Sequence, residues 1–140
     1  MPRRQHELRL SPTVAQWVVQ ALTRLLATFA IIQGAFIIMG GPERWRAPSF
    51  AAAMTVPGAP ASWGWALAAL GALTLAGTFT AHMRVTAVSA IGIGAWCLFF
   101  AISFTITALR DPSAATTGVW AYGTFAVAGS TLGVAYYQSR

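Results

Sequence analysis

Residues 40–65 read GGPERWRAPSFAAAMTVPGAPASWGW. The segment holds Glu43, Arg44 and Arg46, four of the chain's seven prolines and three of its six tryptophans. Hydrocarbon tolerates only backbone whose amides are satisfied within a regular element, so a charged, proline-broken stretch cannot lie there. Long apolar runs flank it on both sides, and it marks where they stop. Its punctuation predicts an internal order. Gly40-Gly41-Pro42 ends the helix before it. Pro48 to Met54 reads as a short surface helix, near 48–55, with its apolar side on the membrane. Pro57-Gly58-Ala59-Pro60 is a turn signal. Ser62 is placed to cap the next helix, and Trp45, Trp63 and Trp65 suit the headgroup level.

Composition names the solvent. The chain has 140 residues, enough for one domain, and is 56% hydrophobic but only 9% charged. Soluble domains carry about 25% charged residues. Twelve charged side chains cannot cover a soluble surface of this size. The net charge of +6 comes from nine arginines, with no lysine, and asparagine is also absent. That bias is what GC-rich coding produces. The arginines stand at the ends of apolar runs as orientation signals do. They are not interleaved with aromatics on a polar face, so nucleic acid is not an expected partner. Cys97 is the only cysteine, which excludes an internal disulfide and a cysteine metal site.

Upstream of the opening segment, Ser11-Pro12 reads as a helix start, with serine at the N-cap and proline at the first helical position. No proline interrupts the chain from there to Met39, giving about 42 Å of helix against a hydrocarbon core of roughly 30 Å. The surplus lies at the start, where Gln16, Gln20 and Arg24 recur every fourth residue. Trp17 is expected near the headgroups. Arg24 is expected to snorkel to the cytoplasmic surface, with helix contact, gating or anionic-lipid binding as its alternatives. The basic segment with Arg3, Arg4 and Arg9 precedes a run too long for a cleaved signal and lacking a small-residue cleavage site. An uncleaved anchor is therefore expected.

Downstream, the run from Trp63 to Leu109 contains about 47 residues and would make one helix of about 70 Å, over twice a bilayer. It must fold back. The only break is Thr80 to Thr86, where His82 and Arg84 bring polarity. Arg110-Asp111-Pro112 closes the next span, and Tyr136 and Tyr137 suit the interface at the end of the last one. The expected fold is an all-α integral membrane protein, four transmembrane helices in an up-down bundle. Residues 1–11 form a cytoplasmic tail, 12–39 the first span and 40–62 the extracytoplasmic loop. The later spans are 63–82, 85–109 and 115–137. With both termini inside, six arginines lie at or near the cytoplasmic face and three outside, which agrees with the positive-inside rule.

Chemistry-bearing groups are sparse. His82 and Asp111 fall on opposite sides of this topology, so they cannot join a serine in a hydrolytic triad. Four-helix multidrug exporters resemble the chain in size, but they depend on a glutamate in the first helix, and none occurs here. No enzymatic activity, metal or cofactor is expected. Small residues do recur. Gly64, Ala68, Ala72 and Ala76 are spaced by four, Ala90 and Gly94 follow, and Gly129 and Gly133 form a GxxxG pair. Such faces let backbones approach closely. They serve either packing within one bundle or the seam of a homo-oligomer. Gln33, deep in the first helix, could hydrogen-bond across to a neighbour. Arg44 and Arg46 suit lipid phosphates or a protein partner docking on the 40–62 loop.

The sequences GPERWRAPSF, VPGAP and SWGW, with the order of spans and the composition, resemble small four-span membrane proteins encoded by actinobacteriophages. Some of these lie near lysis genes and are considered holins. The resemblance implies a phage-encoded protein of the host inner membrane, permeabilising it as a homo-oligomer. The alternative is a non-lytic interaction protein acting in superinfection exclusion, in the virion or as a scaffold.

Overall fold

A computed structural model describes residues 12–46, 50, 53–55, 57–111 and 116–138, and the side chains of these apart from Pro12, Pro42, Arg44 and Ala53. The expected tail at 1–11 and most of the short helix near 48–55 lie outside the described residues. Among the described residues four α-helices carry the fold: α1, Pro12–Met39; α2, Ala61–Phe79; α3, Met83–Arg110; and α4, Thr117–Gln138. Among the described residues between α1 and α2, Pro42–Trp45 and Ala53–Thr55 form 3₁₀ turns. Each helix packs along the next in the chain, and α4 returns to touch α1.

Thr13–Met39, Ala61–Phe79 and Met83–Arg110 are long and apolar enough to cross a membrane by length and composition. At 22 residues α4 is long enough. Gly118, Gly123, Thr124, Gly129, Ser130, Thr131 and Gly133 dilute its hydropathy, and it is not among the three.

The distribution of side chains is inverted relative to a water-soluble bundle. Exposed positions include Leu22, Leu25, Ile32, Phe36, Leu73, Val88, Ile91, Leu98, Ile102, Leu109, Val127 and Val134. Buried positions are rich in small or hydroxyl-bearing residues, among them Ala27, Ala30, Ala87, Ala90, Thr23, Thr74, Thr86 and Ser89. Water would penalise so continuous an apolar exterior. A lipid solvent makes it neutral and leaves close packing as the force between helices. The long apolar helices and this inversion together indicate a membrane-embedded protein.

The backbones approach closely enough to explain the small residues. A Cβ on Gly34 would stand 2.6 Å from the Gly64 carbonyl oxygen, and one on Gly71 2.7 Å from that of Ala27. These pairs fix α1 antiparallel to α2. The fully buried hydroxyls of Thr23 and Thr74 and that of Ser89 find acceptors inside the bundle, as hydrocarbon requires. Thr23 donates to the Val19 carbonyl at 2.7 Å. Ser89 donates to the Val85 carbonyl at 2.6 Å and accepts from Thr74 across the α2–α3 seam at 2.8 Å.

The reversal falls where His82 interrupts the apolar run. Ala81 takes the left-handed conformation at φ 56°. The His82 amide donates to the Gly77 carbonyl at 3.0 Å, the long-range bond that closes a Schellman-type helix end. The other end of α2 differs from expectation. The helix begins at Ala61, and Pro60 occupies the N-cap position. The Ser62 hydroxyl therefore does not cap it; it is already inside the first turn. The Ser62 amide closes the preceding turn on the Gly58 carbonyl at 3.0 Å.

Candidate functional site

Three regions carry the residues singled out by the sequence: the helix seams, the end that holds Glu43 and the opposite end that holds His82.

The seams use the small residues within one chain. Cβ atoms on Gly129 and Gly133 would stand 2.9 Å and 2.8 Å from the Ala90 and Ala87 carbonyl oxygens, and one on Gly94 2.9 Å from that of Ala126. Ala90, Gly94, Gly129 and Gly133 therefore form the α3–α4 contact. Gly64 faces Gly34, and Ala68 lies under the same glycine. Ala72 and Ala76 are exposed and leave the seam. The reason is geometric. Four residues advance a helix by about 400°, so a strict four-residue stripe drifts about 40° per step. The face that α2 buries is Gly64, Leu67, Gly71, Thr74 and Gly77, in steps of three, four, three and three. Gly34 and Gly71 lie outside the four-residue stripe, and the mixed three- and four-residue spacing is the signal that finds Gly71.

At the Glu43 end the loop rests on protein. The Trp45 ring meets Phe50 at 4.6 Å, and Phe50 meets Phe104 on α3 at 5.1 Å. Trp63 stacks on Phe99 at 4.9 Å. Beneath them Phe100 lies 4.2 Å from Trp96, and Phe104 stacks on Tyr122 at 5.5 Å. Trp45 and Trp63, which the sequence places at headgroup level, also pack against the core. An aromatic ladder on α3 offers them more contact than a surface would. Arg46 reaches back to Glu43 at 2.9 Å, with both side chains about three-quarters exposed. The Arg44 side chain lies outside the described residues.

Exposed aromatics mark both ends of the bundle. Trp17 and Tyr137 lie at the His82 end, Trp65 and Trp120 at the other, and each is 60–75% exposed. Paired belts of this kind suit two membrane–water interfaces. Trp120 was not among the expected belt residues.

At the His82 end, Arg24 lies with its guanidinium carbon 4.9 Å from the Phe79 ring centroid. Its Nε is buried without a hydrogen-bond partner. Gln16, Gln20, Met83 and half-buried Tyr136 line a depression between α1 and α4. Toward the middle this becomes an apolar groove lined by Leu22, Leu25, Leu26, Phe29, Phe125 and Leu132. The two helices meet where Phe29 stacks on Phe125 at 4.1 Å and where Gln33 reaches the Tyr122 hydroxyl of α4. Among the described residues, no three of His, Cys, Asp and Glu come together as a metal site. No protein-family model, curated protein or solved structure matches the chain.

Proposed function

We propose that the chain is a non-enzymatic, holin-like protein, phage-encoded and resident in the host cytoplasmic membrane. It crosses four times with both ends inside, α4 being the fourth span. It acts by associating laterally into a lesion that dissipates the membrane potential. The observation that carries this reading is the incompletely closed α1–α4 seam. The outermost helices meet at the Phe29–Phe125 stack and the Gln33–Tyr122 pair, and below these an apolar groove stays open. A protomer that leaves this edge unfilled can exchange it for a contact with a neighbour. Splaying at the same seam would turn Gln33 and Tyr122 toward water.

The small-residue stripe supports association less than the sequence implied, because Gly129 and Gly133 are spent inside the chain. Inducible expression with a membrane-potential dye tests the reading. Abrupt loss of potential and of viability is expected once the protein has accumulated. Full potential at high membrane expression would remove the lesion from the account.

A second reading has its own observation. The loop from 40 to 62 is seated on the bundle through Trp45 and Phe50, while Glu43 and Arg46 stay exposed. A positioned polar cap suits docking of an extracytoplasmic protein. Crosslinkers at Glu43 and Arg46 that capture one specific partner, with the potential intact, would favour this non-lytic role.

A further inference from the structure

Arg24 is a cation on the lipid-facing side of the bundle, and nothing described in the chain neutralises it. The Gly71–Ala27 contact sets the register of α1 against α2 and places Arg24 level with Thr74 and Leu75. Its guanidinium nevertheless sits over Phe79, about one helical turn nearer the Thr80–His82 reversal. The side chain therefore runs toward that end of the bundle, as a snorkelling arginine does.

Phe79 is the last residue of α2 and is 69% exposed. The ring covers one face of the guanidinium and its Nε is buried, so the two terminal amino groups are the donors left to an acceptor. The described acids cannot serve. Glu43 pairs with Arg46, and Asp111 follows α3 at the opposite end of the bundle. Above the arginine, Ala72 and Ala76 share the Phe79 face of α2 by helical spacing and are exposed. Their small side chains leave a shallow apolar strip on which an acyl chain can lie.

We propose that Arg24, stacked on Phe79, binds the phosphodiester of one anionic phospholipid, whose acyl chain lies over Ala76 and Ala72. The planar guanidinium offers a two-donor fork to two phosphate oxygens. The anion comes from lipid because the strip beside the cation is apolar and opens sideways from the bundle. This inference rests on the membrane reading but not on lesion formation.

The test is native mass spectrometry of the full chain released from bilayers of equal phosphatidylglycerol and phosphatidylcholine. The wild type is expected to retain one phosphatidylglycerol in preference to phosphatidylcholine. Arg24→Gln should lower its occupancy about tenfold, the scale of one lost charge-assisted hydrogen-bond pair. Arg24→Lys should fall between, and Phe79→Leu should weaken binding about threefold. Equal retention by Arg24→Gln, no preference between the lipids, or displacement by inorganic phosphate alone would each overturn the site. Circular dichroism checks that Arg24→Gln folds; where it does not, Phe79→Leu decides, and unchanged retention there overturns the site. Alkaline carbonate extraction runs alongside. Release of the wild type from membranes removes the membrane reading and the site together, whereas membrane retention with unchanged lipid binding removes the site alone.

Discussion

Gly129→Leu is expected to push α3 and α4 apart and to lower stability by more than about 3 kcal/mol, the upper range for overpacking. Even a Cβ there would stand 2.8 Å from the Gly94 nitrogen and 2.9 Å from the Ala90 carbonyl oxygen. Both are backbone atoms, so rotating a side chain cannot relieve the clash. Gly123→Leu on the same helix is the control. A Cβ at Gly123 meets nothing within 4 Å. That substitution should change stability by less than about 1 kcal/mol, and helix propensity favours it. Thermal unfolding in mild detergent, followed by circular dichroism, separates the two. If Gly129 served only a seam between copies, Gly129→Leu would leave the monomer's unfolding unchanged and reduce association alone.

Phe100→Ala should produce the next largest loss, about 2–3 kcal/mol. Phe100 is 1% exposed. Its ring lies 4.2 Å from Trp96, 5.6 Å from Phe99 and 5.7 Å from both Trp63 and Tyr122. In a bilayer the transfer of apolar surface contributes little, because lipid is itself apolar. The cavity and the lost aromatic pairs remain, the latter worth about 0.5–1.5 kcal/mol each. The loss should also loosen the start of α2, since Trp63 rests on this ring, and a shift in tryptophan emission would report it. Leu98→Ala, at a lipid-facing position of the same helix, should cost under about 1 kcal/mol. Equal losses at the two positions would mean that α3 is not oriented as described.

The helix ends were the most legible part of the sequence, because they depend on local chemistry. Pro12 and the Gly40-Gly41-Pro42 stop bracket α1, and the one polar break in a long apolar run locates the α2–α3 reversal. Faces were less legible. A helix apolar all round has no polar side to show which way it turns. Ala72 and Ala76 accordingly share a stripe with Gly64 and Ala68 in the sequence but stay out of the α1–α2 contact, which Gly34 and Gly71 enter. Trp45 and Trp63 were assigned to the headgroups by residue type. What Trp63 meets depends on rings more than thirty residues away, Phe99 and Phe100, and Trp45 reaches α3 only through Phe50 and Phe104. The functional reading stands on one loop motif, the order of spans and composition, and an open helix seam now adds a physical reason for lateral association.

The central claim is a four-span topology with both ends on the cytoplasmic side and residues 40–62 outside. Single cysteines at positions 43, 84, 111 and 138, introduced into Cys97→Ala, can be probed in intact cells with a membrane-impermeant maleimide. Positions 43 and 111 are predicted to label in intact cells, and 84 and 138 only after permeabilisation. Labelling of 84 from outside, or of 138 from outside while 111 also labels, would contradict the topology.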